Sequence, residues 1–389
     1  MSVFQNVIGN IFPLPIYAIS CIMKLASDAK AGTGERGGHM GKKATIYDIA
    51  REAGVSTATV TRVVSGHPSV KAETRERVQR VIDAHAYTPS AAARDLERGR
   101  THTLGIVLPQ ISNPYFARIF TAASEAATAS GHLLLLYQVT WLTHIPHETV
   151  DEILRRRLDG VLFAGNIWGE EATELSEAID RLSQHMPVVA ICPPSTQLDC
   201  ICLHSDLVNC VRLPVRHLAA LGHRRIAFIG GSLETGDSSR RGQTFLQEMA
   251  ALGLPDDPAY HIDTGYDAES GERAVLRLLS GLERGRWPTA LIAFNDLVAL
   301  GAIHQLKRMG LRVPQDMAVI GCDNQFFCPY TDPPLTTMDL HPEELTRSAM
   351  RELLSAREGN HPSFSLTREA TLVVRESCGA ALGVRSFEE

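Results

Sequence analysis

Seven short runs of consecutive apolar residues recur after residue 102 of this 389-residue sequence, and they constrain the fold more than any other feature. Segments of helical periodicity separate them. A strand that is apolar throughout must be covered on both faces, which is typical of parallel sheets flanked by helices. Seven such strands predict two doubly wound α/β lobes with a ligand cleft at the carboxyl ends of the strands. The runs are TLGIVLP, HLLLLYQV, DGVLFAG, MPVVAIC, RRIAFIGG, TALIAFN and MAVIGC.

A different pattern precedes these runs, in the stretch DIAREAGVSTATVTRVVSGHPSV from Asp48 to Val70. Its apolar residues fall at helical spacing on both sides of Gly54, a residue type that permits a sharp backbone turn. Ser56 is a suitable N-cap for the helix that follows it. A third helix is predicted at about 72–85. The apolar residues predicted to form the shared core are Ile46, Ile49, Ala50, Ala53, Val60, Val63, Val64, Val78, Val81 and Ile82.

The second helix of this head carries small polar residues opposite its valines. Such a face fits the major groove of DNA, where Arg62 can bond a guanine and the methyl groups of Thr57 and Ala58 can contact thymine. Hydroxyls at the starts of the first two helices suit phosphate contacts. The alternative is an ordinary three-helix bundle whose polar side faces water. The other predicted DNA contacts in the head are Thr45, Tyr47, Ser56 and Thr61.

Charge is divided unevenly along the chain. The formal net charge of the whole sequence is −6, which by itself does not suggest a nucleic-acid partner. Residues 41–100, however, contain eleven Lys and Arg against seven Asp and Glu, whereas residues 101–389 carry a net charge of about −11. A small basic head therefore precedes a large acidic body.

Head and body together resemble one known family. The stretch ATIYDIAREAGVSTATVTRVVSG, followed by VKAETRERVQRVIDAHAYTPSAAARDLERGRTHTLGIVLP, is similar to the lactose/galactose-repressor (LacI/GalR) family of bacterial transcription regulators, over some 340 residues from Lys43 onward. The resemblance implies that Thr57, Ala58 and Arg62 read bases. It also implies a cytoplasmic homodimer that binds a pseudo-palindromic operator, most simply as a repressor. No heptad tail for a tetramer follows the last predicted strand.

Between head and body, the segment SAAARDLERGR resembles the hinge helix of this family. A helix this short is marginal alone in water. In the family it forms when paired with its dimer mate in the minor groove, where a leucine wedges between base pairs. Leu96 occupies the leucine position and Ala93 the close-packing position. A plain linker is the alternative. The predicted organisation is a helix-turn-helix domain at 41–87, a hinge at 88–101 and a body at 102–383.

The body resembles a periplasmic sugar-binding protein, as the bodies of this family do. The resemblance implies lobe one at about 102–203 and 342–368, and lobe two at about 204–341 and 369–383. A sugar or sugar derivative between the lobes is the expected effector. The residues expected to contact it are Asn113, Tyr115, Phe116, Cys192, Asp237, Arg240, Arg241, Tyr266, Asn295, Asp296 and Asp323.

Several of these positions have a structural alternative. Asn295 and Asp296 also suit capping of the helix that follows them, and Tyr115 also suits the core. Arg241 best matches the ligand-binding arginine of the family, with Arg240 one position away, although both also suit a charged surface. Cys192 stands where relatives often have an acidic or polar residue, which argues against transferring any particular sugar.

Enzyme and metal chemistry find no support in the sequence. It contains no G-x-S-x-G, no H-E-x-x-H and no Gly-rich phosphate loop after the first strand. The C-x-C pair of Cys200 and Cys202 lacks histidines at ligand spacing. We therefore predict no catalytic residue, no metal site and no cofactor, with the cysteines as buried reduced thiols. A transport-binding protein is the rival for the body alone, but it would carry a cleavable signal instead of a basic head.

Residues 1–40 form an apolar extension that is interrupted by Pro13 and Pro15. We interpret it as a mis-assigned start, with Met40 as the natural first residue, so that no stable membrane association is expected. A membrane anchor and a disordered extension are the alternatives.

Overall fold

The computed structural model describes residues 44–87, 101–140, 142, 144–165, 173–193, 198–230, 236–255, 257–356 and 365–380, with the side chains of 236–238 excepted. The chain divides into two compact units, Met1–Arg94 and Asp95–Glu389. The predicted extension at 1–40 and the hinge positions Ala93 and Leu96 lie outside the described residues.

The first unit contains three helices, α1 (Ile46–Ala53), α2 (Thr57–Val64) and α3 (Ala72–Ala84). α1 ends at Gly54, whose φ of 65° lies in the left-handed region that a residue without Cβ adopts easily. The tight corner that follows brings α2 against α1, and α3 packs on both. Their buried apolar residues are Ile49, Ala50, Ala53, Val60, Val63, Val78 and Ile82, with Val64 and Val81 partly buried beside them.

The second unit contains two six-stranded sheets. The first sheet has the order β11-β5-β4-β3-β1-β2, in which every pair is parallel. Its strands are β1 (Thr103–Pro109), β2 (Leu133–Val139), β3 (Gly160–Ala164), β4 (Val188–Ile191), β5 (Ile201–Ser205) and β11 (Ser365–Arg368). The helices connecting or covering them are α4 (Pro114–Ala129), α5 (His147–Arg156), α6 (Thr173–Ser183) and α11 (Pro342–Ala356).

The second sheet has the order β12-β10-β9-β8-β6-β7, and only β12 runs antiparallel to its neighbour. Its strands are β6 (Ile226–Ile229), β7 (His261–Ile262), β8 (Ala290–Ala293), β9 (Ala318–Cys322), β10 (Thr336–Asp339) and β12 (Thr371–Val373). Its helices are α7 (Asn209–Ala220), α8 (Gly236–Ala251), α9 (Ala268–Ser280) and α10 (Asp296–Arg308). Short 3₁₀ turns occur at Pro258–Tyr260, Arg284–Arg286 and Cys328–Tyr330.

Both faces of the central strands are covered, as the uninterrupted apolar runs predicted. On β1, Leu104, Ile106 and Leu108 pack on one side of the sheet and Val107 packs on the other. Because helices cover both sides, neither face tolerates polar residues, and the alternation typical of a half-exposed strand is absent. The cluster that contains Ile106 also contains Ile320 of β9, so one apolar core joins the two sheets.

The chain passes between the sheets three times, after β5, after β10 and between β11 and β12. His204 and Ser205 are the last residues of β5 and pair with Thr367 and Arg368 of β11. Within the described parts of the chain, no helix has both the length and the apolarity needed to cross a bilayer.

Helices α9 and α10 approach each other closely through two glycines. A Cβ atom at Gly301 would lie 1.8 Å from the carbonyl oxygen of Ala268, and one at Gly271 would lie 2.1 Å from that of Val298. Both neighbours are backbone atoms, which cannot move aside without shifting a helix. The absence of Cβ atoms therefore sets the distance between these helices.

We expect Gly301→Ala to destabilise the body by on the order of 2 kcal/mol or more, because overpacking outweighs the higher helix propensity of alanine. Urea unfolding of the two variants measures the change. Gly285→Ala is the matched control, since nothing lies within 4 Å of its Cβ position. Equal stability of the two variants would contradict the packing argument.

Candidate functional site

Helix α2 exposes the polar face that its sequence predicts. Val60 and Val63 are buried against α1 and α3, whereas Ala58 and Arg62 are exposed, and Thr57 and Thr61 are half-exposed. The Thr61 hydroxyl donates to the Thr57 carbonyl oxygen at 3.1 Å. A short helix with small side chains and one guanidinium on its free face can lie close to base edges in a major groove.

The starts of α1 and α2 are capped by the two predicted hydroxyl residues. Thr45 and Asp48 form a capping box on α1, and the Ser56 hydroxyl accepts from the Thr59 N–H at 3.2 Å on α2. The remaining free N–H groups of each helix start suit a phosphate oxygen. Tyr47 lies in the first turn of α1 and is 74% exposed. The head thus exposes small polar side chains and one guanidinium beside two capped helix starts.

In lobe one, the residues after β1 mainly build the start of α4. The Asn113 side chain accepts from the Tyr115 N–H at 3.0 Å and caps the helix. Tyr115 is buried in the shared apolar core, which favours the core alternative for this residue. Phe116 is partly buried and packs edge-on against the Tyr115 ring at 5.3 Å between centroids.

Cys192 follows β4 directly and belongs to a group of three thiols. It is buried, and hydrogen bonds to Cys202 raise the pKa of Cys192 and lower the pKa of Cys202 to about 4. The Sγ atoms of Cys200 and Cys202 lie 3.8 Å apart. Every cysteine in the described residues is a free thiol, and only Cys200 among them is not fully buried.

Arg241 lies deep in lobe two with 3% of its surface exposed, whereas its neighbour Arg240 is exposed. Nη1 of Arg241 donates to the Phe294 carbonyl oxygen at 3.1 Å, and the Arg241 guanidinium lies 4.2 Å from the centroid of the Phe294 ring. These contacts hold the side chain in one direction. The side chain of Asp237, on the first turn of the same helix, lies outside the described residues.

Tyr266 and Asn295 lie beside this arginine. The Tyr266 ring packs against Phe294 at 5.0 Å between centroids. The Asn295 side chain accepts from the Val298 N–H at 2.8 Å, which caps α10, and donates to the Tyr266 carbonyl oxygen at 2.9 Å. Phe294 is a residue that our sequence prediction omitted, although it directly precedes Asn295 at the end of the β8 run.

Asp296 is fully buried, and its carboxylate is engaged by protein groups. It accepts from the Thr337 hydroxyl at 2.5 Å, from the Gln325 N–H at 2.7 Å and from the Cys328 thiol at 3.1 Å. Burial raises the pKa of Asp296 to about 6, against the opposing effect of these hydrogen bonds. Through these contacts, the Asp296 side chain joins α10 to β10 and to the loop after β9.

Asp323 follows β9 with a left-handed φ of 115°, a strained backbone for any residue but glycine. It is buried, and burial together with the Asp296 carboxylate raises the pKa of Asp323 well above its usual range, although Arg241 and Arg118 oppose the shift. Asp323 and Arg241 therefore place a carboxyl group and a guanidinium at the same end of the lobe-two sheet.

Arg118 of α4 connects the two lobes, and our sequence prediction also omitted it. It donates to the Asp323 carbonyl oxygen at 2.6 Å and forms a two-point ion pair with Glu343 of α11, at 2.5 and 2.8 Å. The available signal was an arginine one turn into the helix that follows the first strand. Its contacts become evident only when the lobes are placed together.

These features define a class of protein. A head with an exposed short helix precedes a two-lobed body that gathers an arginine, aromatic rings and carboxyl groups at the carboxyl ends of parallel strands. This is the arrangement of a DNA-binding regulator with a small-molecule-binding body.

Comparison with known proteins identifies the family within that class. Residues 45–90 match the bacterial regulatory proteins of the lacI family, and residues 215–378 match a periplasmic binding protein-like domain. The HTH-type transcriptional repressor CytR of Escherichia coli (strain K12) is 31% identical over 338 residues, which cover 87% of this chain and 97% of that protein. Catabolite control protein A of Priestia megaterium is 33% identical over 313 residues, 79% and 91% of the two chains.

Comparison of this structure with solved structures leads to the same family. The lac repressor dimer bound to operator and the anti-inducer ONPF matches with a TM-score of 0.75 at 26% identity, covering 87% of this chain and 99% of that one. The chain belongs to the LacI family of bacterial transcription regulators. The predicted family, fold class and regulatory function are thereby confirmed, and the relatives are named as regulators, not as enzymes.

The buried carboxyl of Asp296 predicts a pH dependence of stability. Because its folded-state pKa of about 6 lies above the ordinary 3.8, its contribution to stability is complete below pH 3.8 and is lost as the pH rises through 6. We expect Asp296 to contribute about 3 kcal/mol to the fall in the free energy of unfolding across this window, so that the fall is smaller in Asp296→Asn than in the wild type, where Asp323 acts with the same sign.

Urea unfolding at pH 4 and pH 7 measures this difference. Asp316→Asn is the control, because ion pairing with Arg312 lowers the pKa of Asp316 to about 2 and gives its contribution the opposite sign. If Asp296→Asn kept the full decrease with pH, Asp296 would not be its source.

Proposed function

We propose that this chain is a transcriptional repressor that binds a pseudo-palindromic operator as a homodimer, and that a sugar-like metabolite between its lobes controls operator affinity. The observation that carries the proposal is the free face of α2, with Ala58 and Arg62 exposed above buried valines. Membership in the LacI family and the likeness to an operator-bound lac repressor dimer support it.

In this proposal the head supplies both positioning and specificity. Arg62 bonds a guanine edge, and the methyl groups of Thr57, Ala58 and Thr61 contact thymine methyls. Phosphates lie against the starts of α1 and α2, which anchor the register without reading sequence. The predicted contacts at these starts are Thr45, Tyr47 and Ser56.

The hinge completes the proposed DNA contacts. Ala93 and Leu96 lie outside the described residues, so their role rests on the resemblance to the family alone. In that role the two hinges of a dimer pack through Ala93, and Leu96 opens a base step at the operator centre.

The proposed effector contacts centre on Arg241. Its guanidinium, held by Phe294, suits a carboxylate or vicinal hydroxyl groups, and the Tyr266 ring beside it suits a sugar face. Asn295 and Asp296 act mainly by holding the elements around Arg241 and Tyr266 in place, because their side chains bond protein groups. The other proposed contacts are Asn113, Tyr115, Phe116, Cys192, Asp237, Arg240 and Asp323.

Coupling requires that the effector prefer one arrangement of the lobes. The hydrogen bonds of Arg118 depend on the arrangement of the lobes, because they join α4 of lobe one to the loop after β9 in lobe two. Burial and the Asp296 carboxylate raise the pKa of Asp323, which disfavours a negative charge at this contact region.

The body also offers a surface for a second copy. Leu136 on the edge strand β2 is exposed, and it lies on the sheet face that α4 covers. A shallow, open depression lies on α4 at Phe120, Thr121 and Ser124. We place the dimer contact on this surface.

We assign the protein no catalytic role. We place the protein in the bacterial cytoplasm, where operators are accessible.

We expect Arg62→Ala to reduce the preference for operator over random DNA by on the order of 10-fold or more, because one bidentate base contact accounts for about 1–3 kcal/mol. The salt-sensitive affinity for random DNA should change little. Fluorescence anisotropy at several salt concentrations, on an operator identified by footprinting, measures both affinities.

Arg80→Ala is the matched control, because it removes the same charge from an exposed position of α3. It should leave the preference for operator intact. Loss of preference in both variants, or in neither, would contradict the assignment of Arg62 to a base contact.

We expect Arg241→Ala to weaken effector binding by at least about 10-fold, since a buried charged hydrogen-bonding group contributes about 1.5–3 kcal/mol. A thermal-shift screen of sugars, sugar acids and nucleosides identifies the ligand, and calorimetry measures its affinity. Arg240→Ala is the control, being the exposed neighbour on the same helix.

Retained operator binding shows that the Arg241→Ala chain is folded, and Arg241→Lys tests whether charge alone suffices. Calorimetric affinity equal to that of the wild type would place the effector elsewhere in the body.

A further inference from the structure

Three side chains with metal-ligating atoms meet at the amino edge of the lobe-one sheet, the edge opposite the cleft. His102 directly precedes β1, His132 precedes β2, and Asp159 directly precedes β3. These three strands are neighbours in the sheet and run parallel, so their first residues lie side by side. The sequence showed no such site, because the residues are thirty and twenty-seven positions apart.

Backbone hydrogen bonds hold the three positions in register. The Leu133 N–H donates to the His102 carbonyl oxygen at 2.8 Å, and the Asp159 N–H donates to the Thr103 carbonyl oxygen at 2.7 Å. His102 has a left-handed φ of 47°, which is uncommon for a non-glycine residue. The strand pairing therefore fixes the distances between the Cα atoms of the cluster.

The side-chain atoms of this cluster are close enough to share one ion. One ligand atom from each residue lies within 4.8 Å of the other two. The Nε2 atom of His132 and the Oδ2 atom of Asp159 are 3.7 Å apart, near the separation of about 3.4 Å that tetrahedral zinc geometry requires. His102 is the most exposed of the three, and its side chain can make the small remaining movement.

The surroundings orient these ligands. The Ser130 hydroxyl lies 3.0 Å from Nδ1 of His132, which directs the other ring nitrogen toward the aspartate. The Thr101 N–H donates to Oδ1 of Asp159 at 3.3 Å. The side chains of His132 and Asp159 are each only 7% exposed. Hydrogen-bonded partners behind the ligands and partial exclusion of water are both features of metal sites in proteins.

We propose that His102, His132 and Asp159 bind a divalent first-row transition ion, Zn²⁺ in the first instance. Two imidazoles and one carboxylate suit Zn²⁺, with water as the fourth ligand on the solvent side of His102. The ion links the first residues of three strands. His102 also lies two residues after the segment 88–100 that joins head to body in the sequence, so the ion secures the point where the body begins.

Equilibrium dialysis of the full chain against zinc chloride tests the proposal. We expect one ion per chain at this site, and a rise in the thermal midpoint of the body when the ion is present. His102→Asn removes one ligand and keeps a residue that tolerates the left-handed backbone. Asp159→Asn removes the carboxylate charge and keeps an acceptor for Thr101. Each should weaken binding by at least about 10-fold.

His304→Ala is the matched control, because His304 faces Glu272 at 3.9 Å in a histidine–carboxylate pair that no second histidine joins among the described residues. It should bind the ion as the wild type does. Circular dichroism confirms the fold of each variant, and His102→Asn, at the most exposed position, remains informative if Asp159→Asn does not fold.

Cobalt(II) chloride distinguishes this site from the thiols of the chain. A histidine and carboxylate site gives visible cobalt bands without the near-ultraviolet absorption of a cobalt–thiolate bond. Absence of binding, binding unchanged in both ligand variants, or a spectrum dominated by thiolate absorption would each overturn the proposal.

Discussion

Parallel strand pairing is the constraint on which the rest of this structure depends. Each parallel connection must return over a face of the sheet, so helices cover both faces and the strands become apolar throughout. The same rule collects all strand ends at two edges. Arg241, Phe294 and Asp323 lie at the carboxyl edge of the lobe-two sheet. His102, His132 and Asp159 lie at the amino edge of the lobe-one sheet.

Buried charge at the lobe junction follows from this arrangement. Arg118 pairs with Glu343 in its own lobe and donates to backbone carbonyls of the other, so it is satisfied without a carboxylate across the cleft. Asp323 and Asp296 lie too close and too deep to be ionised together at low cost, which explains the raised pKa of both.

The sequence by itself determined the head and the class of the body. In the head, caps at Thr45 and Ser56, the turn at Gly54 and the spacing of the valines are local signals, and local signals are readable from neighbouring residues. In the body, the apolar runs indicated two parallel sheets for the same reason. The resemblance to a family then located Arg241 and Tyr266, which the structure brings together around Phe294.

Only the tertiary structure decided which partners individual polar residues contact. Asn295 and Asp296 suit both a helix cap and a ligand contact in the sequence, and only the structure shows that they bond Tyr266 and Thr337, which are distant in sequence. The reach of Arg118 into lobe two depends on how the lobes pack. The meeting of His102, His132 and Asp159 depends on strand order, which no local pattern encodes, because contacts between residues far apart in the chain arise only when the whole sheet forms.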